Sequence, residues 1–252
     1  ANIFWIFVRT LLGGVWALSD LILIPDFPLP YTISLGNLAI PKKYQKKVRL
    51  IGPIIEVKPD QLPTKDEIRE RRGFDPNHHL IYAAVSGPRV ERRYLANRLL
   101  EVLSDAHTDC EIVLSRGEPA GEGYPIKYGD VVVYDWMDDL AQSELLKACD
   151  ILAGRAGHGT ITKALTYGKP LVLIPIPDQT EQYGNANRAV RMRVAEVIMQ
   201  SELDTETFFK AVEKILNSDI YEKRARQVAD RAASLDATEN VIEVVKQLVR
   251  KR

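Results

Sequence analysis

A chain of 252 residues with 34 basic and 34 acidic side chains has no net charge, which argues against a nucleic-acid partner, since such proteins usually carry a basic excess. Its content of 46% hydrophobic and 27% charged residues is that of a soluble globular protein able to bury one sizeable core or two small ones. The two cysteines, Cys110 and Cys149, have no CxxC spacing and are too few for a disulfide framework, so they are expected as buried thiols in a reducing cytoplasm.

The opening run, ANIFWIFVRTLLGGVWALSDLILIP, is interrupted by Arg9 and Asp20. A membrane span needs ~20 uninterrupted apolar residues, so the run fits one poorly. It also lacks the basic leader of a cleavable signal. It reads as a buried helix, and the functional rival is a membrane-surface helix through Phe4, Trp5, Phe7, Leu11, Leu12 and Trp16. Residues 25–63 hold seven of the fourteen prolines and read as extended connections, with a domain junction near RLIGPII. Next, TKDEIRERRG combines a capping box, Thr64 with Glu67, and a stop at Gly73, which predicts a short helix.

From Leu80 the pattern becomes regular. LIYAAVSG, CEIVLSRG, VVVYDW, DILAG, KPLVLIPIP and VAEVIMQ are short apolar runs. They alternate with amphipathic stretches, the first of which carries Leu95, Leu99, Val102 and Leu103 on one face. Such alternation predicts a doubly wound α/β domain with a parallel sheet, whose ligands bind beyond the carboxyl ends of the strands. Three helices with plausible caps are expected after Asp204.

Two stretches at predicted strand ends carry possible chemistry. In GRAGHGTITKAL, residues 154–165, Gly157 and Gly159 permit positive φ and close approach of a ligand. A helix N-terminus follows, with unpaired amides and a positive dipole end, so the turn suits a phosphate. Thr160 can cap that helix, and Arg155 offers a planar fork of donors. The alternative is a bare strand-to-helix turn. In PIPDQTEQYGNANRA, Asp178, Gln179, Glu181, Gln182 and Asn185 crowd behind an apolar strand, where hydroxyl-rich ligands can be read by paired hydrogen bonds. The alternative there is a solvated helix start.

Together, GRAGHGTITKALTYGKPLVLIPIPDQTEQYGNANRAV resembles the nucleotide-sugar motif of GT-B glycosyltransferases. The likeness is nearest to the group containing the peptidoglycan lipid-intermediate N-acetylglucosaminyltransferases, and extends to macrolide and glucuronosyl transferases. It runs over about residues 80–200 and more weakly back through SDLILIPDFPLPYTIS and VRLIGPII. It implies a GT-B Rossmann-like C-terminal domain at 64–252, a linker at 51–63 and, at 1–50, a remnant of an N-terminal acceptor-side domain.

By the same resemblance, Ser86, Gly87, Arg155, Gly157, His158, Gly159 and Thr160 would hold the diphosphate. The loop of Trp136 and Met137 would read the base through its backbone, with Lys163 also on the nucleoside side, and Asp178, Gln179, Glu181 and Gln182 would meet the sugar. Lys163 departs from the family, which usually has a glutamate there for the ribose; a lysine cannot accept those hydrogen bonds. No DxD stands where a metal-bound diphosphate needs one, and the four histidines lack ligand spacing, so neither metal nor cofactor is expected. The DD at 138 and 139 reads as a helix start.

The resemblance implies a metal-independent glycosyltransferase that moves a UDP-hexose or UDP-N-acetylhexosamine sugar to an acceptor, either lipid-linked or otherwise close to a membrane. Other readings are a nucleotide-sugar 2-epimerase and a donor-binding subunit that needs a partner. The general base is unassigned; His158 is a candidate, though expected first in the diphosphate loop. The expected location is the cytoplasm, peripheral at a membrane, with a partner subunit or a second copy as further possible contacts.

Overall fold

The computed structural model describes residues 18–36, 42–106, 108–121 and 124–250. The aromatic face expected between Phe4 and Trp16 lies outside these residues. The end of the opening run is not helical: Ile22–Ile24 is a strand, β1, paired in parallel with β2 (Val48–Leu50) in a small sheet of its own. The proline-rich stretch is therefore less uniform than its composition suggested. It contains β2 and short 3-10 turns at Ser34–Gly36, Lys42–Lys47 and Pro59–Gln61, because pairing with β1 fixes part of it.

The main sheet contains β3 (Leu80–Ala84), β4 (Glu111–Ser115), β5 (Ile126–Tyr128), β6 (Val131–Tyr134), β7 (Ile151–Gly154), β8 (Leu171–Leu173) and β9 (Ala195–Val197). Their spatial order is β5-β6-β4-β3-β7-β8-β9. All neighbours are parallel except β5 with β6, a hairpin on the outer edge that the sequence pattern did not announce. Apart from that hairpin, the strands follow the doubly wound order, with its switch point between β3 and β7.

The helices are α1 (Lys65–Arg72), α2 (Arg89–Ser104), α3 (Asp139–Ala148), α4 (His158–Thr166), α5 (Thr180–Arg191), α6 (Thr205–Leu216), α7 (Asp219–Ala233) and α8 (Ala237–Val249). Along β3, Ile81 and Ala83 join a core with Leu95 and Leu99 of α2 and Phe208 and Val212 of α6. Leu80 and Tyr82 join the opposite core, with Ile68, Leu145, Ile161, Ala186 and Ala225 from α1, α3, α4, α5 and α7. Both faces are covered, which is why these strands are continuously apolar rather than alternating.

Local signals set several boundaries. Thr64 and Glu67 form the capping box of α1, and Gly73 ends it at φ 74°. Asp138, Asp204 and Asp236 each accept a first-turn amide at the starts of α3, α6 and α8, a contact typically worth about 1 kcal/mol. At the amino end of the sheet, Asp150 accepts from Arg69 at 2.6 Å, from Leu80 N at 2.8 Å and from Lys65, tying α1 to β3 and β7.

Candidate functional site

At the switch point, the chain leaves β3 and β7 toward opposite faces and opens a crevice between them. Gly154 ends β7 opposite Ala84, and a Cβ on it would lie 2.5 Å from the Ala84 carbonyl oxygen. Gly87 turns the chain out of β3 at φ 114°, a conformation open to glycine and strained for other residues.

The other two glycines of the turn work differently from the expectation drawn from their flexibility. Gly157 is the N-cap of α4 at φ −67°, and Gly159 is already helical, so neither uses a positive φ. Thr160 is not the cap either, because the helix begins earlier, at His158. A glycine cap supplies no side-chain acceptor, and the first-turn amides of α4 are left for another partner. A Cβ on Gly159 would meet nothing within 4 Å, so the missing side chain leaves open space over that turn.

The crevice contains a cavity of about 290 Å³ lined by Ser86 and Gly87 after β3, Ser115 and Gly117 after β4, and Trp136, Thr160 and Lys163. Five residues singled out in the sequence, Ser86, Gly87, Trp136, Thr160 and Lys163, thus meet in one space. Trp136 is 40% exposed, its ring available to a planar ligand. Met137, by contrast, is buried, and its carbonyl accepts Gln142 Nε2 at 2.8 Å, which fixes the loop that carries Trp136. Lys163 Nζ lies 3.7 Å from Glu56 in the expected linker.

Arg155 is placed where the sequence did not put it. Only 2% of the residue is exposed. Its Nη1 donates to the carbonyls of Ile174 at 3.2 Å and Pro175 at 3.4 Å, and its Nη2 to Glu91 O at 3.1 Å. The Glu91 carboxylate is 3.5 Å away. Burial lowers the guanidinium's pKa, and Glu91 partly offsets this. The expected phosphate ligand is therefore an internal brace, joining the exit of β7 to the first turn of α2 and the exit of β8. Two strand-exit carbonyls and one from a helix start take its terminal nitrogens, while Nε is buried without a partner among the described residues.

His158 opens α4, with Nε2 3.1 Å from Oδ2 of the buried Asp26. The two atoms stand at ion-pair distance, with the ring off the line of a good hydrogen bond. Burial alone would raise the Asp26 pKa, but the close His158 ring and the hydrogen bonds from Ser34 and Ile33 outweigh it and hold the carboxyl below its ordinary value. No sequence signal separated Asp26 from the other residues of its proline-rich stretch.

In the second stretch, Asp178 is exposed and held at φ 60°, and Glu181 is exposed on the first turn of α5. Gln179 Oε1 is buried without a partner among the described residues. Gln182, expected to meet a sugar, spends its Oε1 on the Ile176 amide at 3.0 Å, closing the turn after β8. Asn185 is fully buried and donates to Ala156 O at 3.2 Å, linking α5 to the glycine turn.

This doubly wound domain, with its crevice at the switch point, has the fold of the GT-B glycosyltransferases. The calicheamicin glycosyltransferase CalG4 superposes with a TM-score of 0.65 at 17% identity, over 99% of this chain and 62% of that one. The kitacinnamycin glycotransferase gives 0.64 at 18%, over 91% and 55%. The chain belongs to the family described as the glycosyltransferase family 28 C-terminal domain, which matches residues 91–245. Among curated relatives, an uncharacterized glycosyltransferase of Methanopyrus kandleri is 24% identical over 91% of this chain and 63% of its own. The UDP-N-acetylglucosamine–N-acetylmuramyl-(pentapeptide) pyrophosphoryl-undecaprenol N-acetylglucosamine transferase of Moorella thermoacetica is 24% identical over 82% and 59%. The chain thus spans about three fifths of the length of these relatives.

Proposed function

We propose that the protein binds a nucleoside-diphosphate sugar, a UDP-hexose or UDP-N-acetylhexosamine, and takes part in transferring the sugar to an acceptor. The observation that carries this reading is the cavity at the switch point, joining the Ser86–Gly87 turn to the first turn of α4 through Thr160. The diphosphate lies between those turns, facing unpaired amides and the positive end of the helix dipole. The base stacks on Trp136. The sugar reaches toward residues 178–182, where Gln179 Oε1 awaits a hydroxyl donor. Lys163 stands beside the ribose or the phosphates rather than accepting from ribose hydroxyls.

As the acceptor hydroxyl attacks the anomeric carbon, the bond from that carbon to the diphosphate oxygen breaks. The departing negative charge is met by fixed backbone donors already in place. The hydroxyl proton passes to a base not assigned among these residues. A lipid-linked acceptor is supported by the Moorella relative, whose name includes pyrophosphoryl-undecaprenol. Within this reading, residues 1–50 belong to an acceptor-side domain, 51–63 to the linker and 64–252 to the donor domain. Among the described residues no helix is long and apolar enough to cross a membrane.

Calorimetric titration with UDP, UDP-N-acetylglucosamine, UDP-glucose, GDP-mannose and dTDP-glucose tests this. One uridine donor binds best, Trp136→Ala weakens UDP and donor together, and Gln179→Ala weakens only the sugar-bearing ligand. A folded chain that binds none of the five overturns the reading.

A further inference from the structure

Asp26 is a fully buried acid that the proposed chemistry does not use. It lies in the loop after β1, outside the residues that match the family. Its oxygens accept from the amides of Phe27 at 2.7 Å, Ile33 at 3.1 Å and Ser34 at 2.8 Å, and from the Ser34 hydroxyl at 2.5 Å. A carboxylate has about four lone-pair sites, so these donors already satisfy it. The contact with His158 is thus not needed to pair Asp26, and its consequence falls on the imidazole.

The loop is fastened to α4, which lines the crevice, and to α5 beside it. On the α4 side the contact is His158; on the α5 side Arg188 donates to Thr32 O at 2.9 Å and to Pro30 O. Phe27 and Ile33 enter the same core as Ile161 of α4 and Ala186 of α5. The carboxylate is therefore held on a rigid frame rather than on a free loop. With Arg155 drawn inside, His158 is the ionisable side chain on the first turn of α4. No described residue pairs with its Nδ1.

We propose that Asp26 is a positioning residue that holds the His158 ring by Nε2, so that Nδ1 meets the donor's diphosphate beside the open amides of α4. The inference rests on the donor-binding reading. In the complex both ring nitrogens carry protons, and one positive charge is shared between the carboxylate on one side and the diphosphate on the other. The role expected of Arg155 passes to a residue three positions later, directed by a carboxylate from a different part of the chain.

The test uses the full chain with UDP and uridine as probes, by calorimetry and by 15N NMR of the histidine rings, with His158 assigned through His158→Gln. Adding UDP moves both His158 ring nitrogens toward the imidazolium range, and adding uridine does not. A charge-assisted hydrogen bond lost on replacement corresponds to about tenfold in affinity, so Asp26→Asn and His158→Gln each weaken UDP by about that factor and leave uridine unchanged. The double variant is no weaker than either single one. Glutamine at 158 can still donate to Asp26, so that variant keeps the loop fastened while removing the charge. If His158→Gln binds UDP as the wild type does, or the His158 resonances ignore UDP, the contact only fastens the loop and the proposal is overturned. If the wild type binds no nucleotide at all, the donor-binding reading fails with it.

Discussion

Replacing Arg155 with Met separates an internal brace from a phosphate ligand. The guanidinium serves three carbonyls and lies 3.5 Å from Glu91, with 2% of the residue exposed. The two bonds from Nη1, at 3.2 and 3.4 Å, are shared and count for little more than one. Two effective bonds to a charged donor are worth about 3–6 kcal/mol gross. Returning a buried cation to water in the unfolded state offsets several kcal/mol of this, so we expect a net loss of about 2–3 kcal/mol. For a chain of this size each kcal/mol lowers Tm by about 2–4 °C, so thermal unfolding should shift down by about 4–12 °C. Arg155→Lys keeps the charge but not the fork, and should lose nearly as much. Because the brace ties together three turns of the crevice, both variants should weaken UDP and uridine in similar proportion. A Tm within about 2 °C of wild type, with loss confined to diphosphate ligands, would refute the brace.

Three more outcomes follow from the same geometry. Gly154→Ala places a Cβ 2.5 Å from the Ala84 carbonyl oxygen, so overpacking should cost about 1–3 kcal/mol in urea unfolding and reduce nucleotide binding through a displaced β7. Burial alone would raise the Asp150 pKa, but the Lys65 salt bridge, the Leu80 amide and Arg69 hold it below its ordinary value. Its contribution is therefore present above the unfolded-state pKa of about 3.9 and lost as pH falls through the lower folded value. Asp150→Asn should be less stable near neutral pH and should flatten that acid-side fall, as read by unfolding at a series of pH values. Burial pushes the Cys149 thiol up to about 11, so a disulfide reagent should leave it unmodified in the native protein and reach it only on unfolding.

The sheet domain was legible because strands covered on both faces must be apolar throughout, and helices between them must carry a stripe. Caps at Thr64, Asp138, Asp204 and Asp236 were readable because they are local. The β5 hairpin was not: Ile126, Lys127 and Tyr128 are all exposed, and an edge strand without a buried face leaves no hydrophobic rhythm. At the site, local pattern located the glycine turn but not the direction of its side chains. Arg155 turns inward because Ile174, Pro175 and Glu91, far away in sequence, present carbonyls to it. Asp26 was hidden for the same reason, since its contact with His158 spans most of the chain.

The chain has no net charge, and the crevice repeats that economy in how it would hold an anion. Its fixed donors are backbone amides at a helix start that glycine leaves uncapped, and such donors need no reorganisation when charge develops. The arginine that a sequence motif assigns to the anion instead fixes the spacing of the turns carrying those amides. This division of labour has a physical basis. A guanidinium on a free side chain would have to be ordered as the charge develops, whereas amides fixed by the fold need no such reorganisation. The same cation locked behind the turns fixes their spacing. That leaves His158, 3.1 Å from Asp26, as the ionisable side chain on the first turn of α4.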